Sequence, residues 1–220
     1  MMKRVRIGAV PAAEVLHFLG WRGTPVDPGF LSQIERLCTR LDDTVEAGVM
    51  IRSFAYEQNE AKGTRFAPMG RDIASMLRGC HEIVLLAVTL GAESERMLLR
   101  EQAKGAYEAM MLDAAMSAAV EYVCDTQERD LRRKMQAQGL YLTDRFSPGY
   151  GDMPLNQNAD ILEVLDAGRQ MGLMTAKDGL MIPRKSVTAV MGISREEVPL
   201  RESGCSVCVM RDQCSLRRIR

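Results

Sequence analysis

The chain predicts an α+β or mixed α/β domain, and three segments carry that expectation. Glu82 to Thr89 is a nearly continuous apolar, β-branched run, the pattern of a strand covered on both faces. Val187 to Ile193 reads as a second, late strand. Between them, Ala106 to Gln138 is rich in Ala, Met, Leu, Glu and Arg, holds no proline and reaches a glycine only at Gly139, which describes one long helix or two in tandem. Strands separated by long helices pack as sheet and helix layers around one core.

The remaining elements follow in order. Asp27-Pro28 ahead of Phe30, Leu31, Ile34, Leu37, Cys38, Leu41 and Val45 is a capped amphipathic helix: Asp at the N-cap, Pro in the first turn, an apolar stripe at three-to-four spacing. Val49 to Tyr56 reads as a strand, and Arg71 to Arg78 as a short helix stopped by Gly79. Leu90-Gly91 turns the strand ending at Thr89 into a polar helix, Ala92 to Gln102. The turn Thr89-Leu90-Gly91 either lines a site or is a simple tight connection. In the long helix the first half is apolar nearly all round and therefore buried, while Thr126 to Arg133 is charged and solvated. Glu121 is an acid inside the alanine-rich half, so it lies at a rim, is paired, or faces a ligand cation. After a loop from Tyr141 to Pro154 comes a helix with Leu155, Ala159, Leu162 and Leu165 in register, ending near Gly168 or Gly172.

A chain of 220 residues with 46% hydrophobic residues can bury a proper core, and a single domain, 1–198, with a tail, 199–220, accounts for the length. Lys and Arg number 29 against 29 Asp and Glu, so no net field draws the protein to nucleic acid or to an anionic membrane. The longest apolar runs, such as Ile83 to Val88, fall far short of the roughly 20 residues that cross a bilayer, and no signal-peptide pattern opens the chain. A cytoplasmic location is expected, and there the six cysteines serve as free thiols or metal ligands rather than disulfides. The sixteen methionines fall among alanines and leucines at helical spacing, where a thioether fills gaps in a core. His17, Trp21 and His81 are read as structural.

Two segments carry chemistry. Arg145-Phe146-Ser147-Pro148-Gly149-Tyr150-Gly151-Asp152-Met153-Pro154 combines fixed and permissive backbone ahead of a helix N-terminus. Arg145 can grip a carboxylate with its fork, the amides around Gly149 can meet an adenine or ribose edge, and Tyr150 can stack or hydrogen-bond. The same residues also suit an ordinary structural turn. In the tail, Cys205-Ser206-Val207-Cys208 followed by Cys214 spaces three thiolates for one zinc or iron–sulfur centre. A fourth ligand could be Cys80, Cys38, Cys124, His81 or a group from another molecule; alternatively the cysteines remain reduced and metal-free. The spacing is not C-x-x-x-C-x-x-C, which excludes a radical S-adenosylmethionine enzyme.

The order Arg145-x-x-Pro148-Gly149-Tyr150, followed after a helix by Met181-Ile182-Pro183-Arg184-Lys185-Ser186-Val187, resembles the S-adenosylmethionine-binding activation (reactivation) domain of cobalamin-dependent methionine synthase. It is more similar still to free-standing forms whose loop reads Ser-Pro-Gly-Tyr-Gly-Asp and whose later segment reads Ile-Pro-Arg-Lys-Ser-Val-Thr. The resemblance spans the chain up to the cysteine tail. It implies a mainly antiparallel twisted sheet flanked by long helices and a shallow site for S-adenosylmethionine. It further implies a role in remethylating a cobalamin-binding methionine synthase subunit or other corrinoid protein, with electrons from a donor such as flavodoxin or ferredoxin. On that resemblance Arg145 holds the ligand carboxylate, Ser147 and Gly149 offer main-chain contacts, Tyr150 packs beside the ligand, and Glu121 is the acid of the long helix. No general base is expected, because the sulfonium is already activated. The chain departs from the family where Met191-Gly192-Ile193-Ser194 stands in place of a segment bearing a tyrosine.

Overall fold

A computed structural model describes residues 1–21 and 25–198. Strand β1 (Lys3–Arg6) leads into helices α1 (Ala12–Phe18) and α2 (Pro28–Thr44), then strands β2 (Glu46–Glu57) and β3 (Glu60–Ala61). Helix α3 (Arg71–Met76) precedes the central strand β4 (Cys80–Thr89), which is followed by α4 (Gly91–Gln102) and the 31-residue α5 (Ala106–Gln136). A short strand β5 (Tyr141–Leu142), helices α6 (Gln157–Leu165) and α7 (Ala167–Met171), the hairpin β6 (Met174–Thr175) and β7 (Met181–Ile182), and strand β8 (Ser186–Ser194) complete the order.

The main sheet runs β1-β2-β4-β8-β5 and every pairing in it is antiparallel, as the family resemblance implies. In β4, Val84, Leu86 and Val88 join one core, and Ile83, Leu85 and Ala87 join the other. This two-sided burial follows from the alternation of side chains along a strand, and it explains why the run has no polar interruption. Helices α1, α2, α4 and α5 cover the first face through Val15, Ile34, Leu41, Met97, Leu98 and the apolar half of α5. Helices α3, α6 and α7 cover the second through Ile73, Ile161, Leu162, Leu165 and Ala167. Among the described residues no helix is long and apolar enough to cross a membrane.

Local chemistry sets the element ends. Asp27 caps α2 by accepting a hydrogen bond from the Phe30 amide at 3.1 Å, with Pro28 in the first turn. Helix α5 is one uninterrupted helix rather than two. In α6 the buried stripe differs from the expected one: Leu155 and Ala159 are exposed, whereas Gln157 and Asn158 face inward. Polar bonding outweighs hydrophobicity there. Gln157 donates to the Ala67 carbonyl at 2.8 Å and accepts from the Met69 amide at 2.7 Å, while Asn158 donates to the Gly179 carbonyl at 3.0 Å and accepts from Thr188 Oγ1 at 2.6 Å. The loop expected from Tyr141 to Pro154 begins instead as β5, whose few residues are too short a run to read as a strand.

Gly192 on β8 packs against Leu77, the C-cap of α3, and Cys80 at the start of β4. A Cβ there meets Cys80 Sγ and, at 2.9 Å, Leu77 Cδ2. Gly192→Ala is therefore expected to destabilise the domain by about 1–3 kcal/mol, read as a fall of several degrees in Tm, because a well-packed contact resists an added methyl. An unchanged Tm contradicts this packing.

Candidate functional site

Segment 143–146 is stitched to the free edge of β8. Thr143 N donates to the Gly192 carbonyl at 2.9 Å, Gly192 N to Thr143 Oγ1 at 2.8 Å, and Phe146 and Val190 exchange backbone bonds at 2.9 and 2.8 Å. The backbone here is a continuation of the sheet, and consecutive side chains point to opposite sides. Phe146 enters the second core, and Arg145 turns toward α5.

The guanidinium of Arg145, 16% exposed, meets a stripe of acids on α5. Nε donates to Glu128 at 2.7 Å, Nη1 to Glu121 at 3.5 Å and Nη2 to Asp125. Spacings of four and three residues put these carboxylates on one helical face. Arg132, one turn beyond, donates to Glu128 at 2.6 Å, to Asp144 at 3.1 Å, to the Thr143 carbonyl at 3.3 Å and to the Leu142 carbonyl. Glu128 thus bridges two arginines, and Arg132 ties the helix to the backbone that presents Arg145. The segment Thr126 to Arg133 is consequently not simply solvated: the side chains of Glu128 and Arg132 are only 17% and 22% exposed. The sequence signal was present as acids at 121, 125 and 128, but nothing local names their partner.

Four carboxylates here face two guanidinium groups, so the site is acidic. Burial opposes the charge on Arg145, yet Glu121, Asp125 and Glu128 hold its pKa above the ordinary value. Burial raises the Asp125 carboxyl, and the neighbouring Glu128 and Glu14 raise it further against the attraction of Arg145. The stripe opens outward: Glu128 is enclosed, whereas Glu121 and Asp125 side chains are 42% and 57% exposed.

Beyond Arg145 the chain makes a tight turn. Tyr150 N donates to the Ser147 carbonyl at 3.1 Å, Met153 N to Tyr150 O at 3.1 Å and Gly149 N to Met153 O at 2.9 Å. Gly149 has φ +91° and Gly151 φ +52° with a Cβ position blocked by Asp72, so both positions require glycine. Ser147 is half-buried, Gly149 is exposed and Tyr150 projects with 69% exposure. Asp152 accepts from the amides of Arg71 at 2.7 Å and Asp72 at 3.1 Å, capping α3; these bonds hold its pKa below the usual range. The Gly149 amide is engaged inside the turn.

Turn Thr89-Leu90-Gly91 packs on the segment Ile182–Ser186. Thr89 Oγ1 accepts from Gly91 N at 3.0 Å and Ser186 Oγ at 2.7 Å, and Leu90 N donates to the Lys185 carbonyl at 2.9 Å. Lys185 reaches Asp113 at 2.9 Å and Ser117 at 2.8 Å, and the Arg184 amide donates to Glu95 at 2.7 Å. These bonds suit a tight connection. Asn158 bonds both Gly179 and Thr188, so it joins the start of α6, just after the loop, to the second motif. Met191 and Ile193 are buried in the first core. His17 lies edge-on to Phe18 and Trp21 beside Phe30, in packing roles.

Cys205, Cys208 and Cys214 lie outside the described residues. Among the described residues no group of three or more His, Cys, Asp or Glu is arranged to hold a metal. Burial pushes the thiols of Cys38 and Cys80 up to about 11 and raises that of the enclosed Cys124. Two concavities, of about 260 and 610 Å³, are lined by Arg52, Phe54 and Glu163 and by Tyr56, Arg71 and Cys80 respectively; loop 145–150 lines neither.

The architecture is that of an antiparallel-sheet domain with helices on both faces and an arginine-bearing loop mounted on one sheet edge. A solved structure described as the MetH reactivation domain bound to AdoHcy shares this fold: the TM-score is 0.62 over 93% of this chain and 81% of that one, at 15% sequence identity. No family model and no curated protein matches the chain.

Asp125 gives the site a pH signature. Its folded pKa is raised, so the folded state binds the extra proton and the ionised form works against folding. That penalty is absent below the unfolded value of about 3.9 and grows as pH rises through the folded pKa. Asp125→Asn is expected to shift Tm, relative to the parent chain, more favourably at pH 7 than at pH 4. A difference independent of pH contradicts the assignment.

Proposed function

We propose that this chain binds S-adenosylmethionine and serves as the subunit that reductively reactivates, by remethylation, a cobalamin-dependent methionine synthase or a related corrinoid protein in the cytoplasm. The observation that carries the reading is the Arg145–Tyr150 loop, held rigidly on the sheet edge and facing an acidic stripe, in a fold shared with a domain solved with AdoHcy bound.

The ligand is a cation at its sulfonium and its ammonium and an anion at its carboxylate. Glu121 and Asp125 are the open members of the stripe and suit the two cationic centres. Arg145 gives the carboxylate its Nη atoms while Nε keeps its bond to Glu128, so the zwitterionic head group exchanges with existing ion pairs rather than entering an empty pocket. Ser147 and Gly149 supply main-chain contacts, and Tyr150 covers the ligand with its exposed ring. A corrinoid partner brings the nucleophile, and an electron donor such as flavodoxin or ferredoxin brings the electron. The chain's part is to hold the methyl donor at an open surface that another protein can reach. Loss of the methyl cation leaves a neutral thioether, which the acidic stripe attracts less.

Calorimetric titration of the full chain, purified anaerobically, tests the reading. Saturable S-adenosylmethionine binding is expected, at least about tenfold weaker in Tyr150→Ala, whose ring is 69% exposed and whose folding is checked by thermal melt. Glu121→Gln is expected to weaken S-adenosylmethionine several-fold and AdoHcy less. No binding by a folded wild type, or equal binding by Tyr150→Ala, sinks the proposal. Arg145→Ala is less decisive, since it strands Glu128 and Asp125.

The pattern Cys205-x-x-Cys208 with Cys214 favours a second reading, an iron–sulfur or zinc-binding electron-transfer or interaction module in which the ligand site is vestigial.

A further inference from the structure

Glu128 has two carboxylate oxygens, and each arginine takes one of them. Oε2 accepts from Arg145 Nε at 2.7 Å and Oε1 accepts from Arg132 Nη2 at 2.6 Å. An arginine and a carboxylate commonly pair through two parallel bonds, which would draw an Nη of Arg145 to Glu128 as well as its Nε. Arg132 blocks that arrangement by holding the second oxygen, so Glu128 grips Arg145 by Nε alone. The two Nη atoms are left to Glu121, at 3.5 Å, and to Asp125, the more exposed acids of the stripe. Exposed ion pairs are worth little, so these outer contacts are the ones an incoming carboxylate displaces. Arg132 is itself fixed. Its Nη1 donates to the Leu142 carbonyl, and its Nη2 also reaches the Thr143 carbonyl at 3.3 Å and Asp144 at 3.1 Å. These partners are the three consecutive residues that lead into Arg145, so one guanidinium sets both the acid that holds Arg145 and the backbone that carries it.

We propose that Arg132 is a positioning residue for carboxylate recognition: by occupying Oε1 of Glu128 and the backbone at 142–143, it keeps both Nη atoms of Arg145 available to the carboxylate of an amino-acid ligand. The inference rests on the S-adenosylmethionine reading above and adds to it the residue that makes the site select a ligand bearing a carboxylate. Arg132 acts through Glu128 and Arg145 rather than by touching the ligand. Without it, Glu128 turns its second oxygen to an Nη of Arg145 and closes the fork. The loss then falls on the ligand's carboxylate and not on its sulfonium, which Glu121 and Asp125 attract as before. A lysine at position 132 keeps the charge but lacks the planar fork, and its single ammonium does not hold Glu128, Asp144 and two carbonyls in one geometry.

The test titrates the full chain with S-adenosylmethionine and with decarboxylated S-adenosylmethionine, which keeps the sulfonium and the ammonium and lacks only the carboxylate. Arg132→Lys and Arg132→Gln are compared with the wild type and with Arg133→Gln, which removes the same charge from the next position, where the side chain is exposed and pairs with Asp130. Each variant is checked by thermal melt. Both Arg132 variants are expected to bind S-adenosylmethionine at least about tenfold more weakly, with the decarboxylated ligand changed by less than about twofold, and Arg133→Gln to match the wild type for both. An effect of charge at a distance spares Arg132→Lys, and a general loosening of the fold weakens both ligands alike. Either result, or S-adenosylmethionine binding unchanged in both Arg132 variants, overturns this inference and leaves the S-adenosylmethionine reading standing. A wild type that binds neither ligand overturns the two together.

Discussion

Strand β8 has two edges, and the rest of the structure depends on how both are used. One edge pairs with β4 from Ser186 at one end to Ser194 at the other, which sets turn Thr89–Gly91 against Ile182–Ser186 and brings Cys80 opposite Ser194. The other edge accepts β5, Thr143 and Phe146. Backbone amides and carbonyls buried at a sheet edge must find partners, and segment 141–146 supplies them. The outcome is a loop whose root has the rigidity of a strand, with Arg145 aimed by the pleat rather than by its own rotamer preferences.

That aim creates an electrostatic demand. A guanidinium this enclosed needs compensation, and α5 supplies it at three successive positions on one face. Such pairing does not mark a large gain in stability, since desolvation offsets much of the attraction; its value lies in fixing one arrangement of loop against helix. Arg132 serves the same end from the helix side, bonding the carbonyls of Leu142 at the end of β5 and of Thr143 just beyond it. The surplus of carboxylates leaves the outer part of the site suited to a cation.

Much of the fold was legible in the sequence because the periodicities are long. Helix α2 showed its cap and stripe, α5 its unbroken helix-forming composition, and β4 its apolar run. Strand β1, helix α1 and the β6–β7 hairpin were not read, being too brief for a period to establish itself. The inward side of α6 was misread because Gln157 and Asn158 are buried for the backbone groups they satisfy, which lie 88 and 21 residues away in the chain.

The sequence by itself determined the conformational character of loop Arg145–Asp152, through proline, two glycines and the acid that caps α3, and it determined that three thiols share one short segment. Only the tertiary structure decided that Arg145 faces Glu121, Asp125 and Glu128, and that Cys80 stands at the sheet end opposite Ser194 while Cys38 and Cys124 are buried in the first core. The reason is that propensities and periods act over a few neighbouring residues, whereas these juxtapositions depend on strand register. Register is set by the fit of both sheet faces to their helices, a property of the whole core.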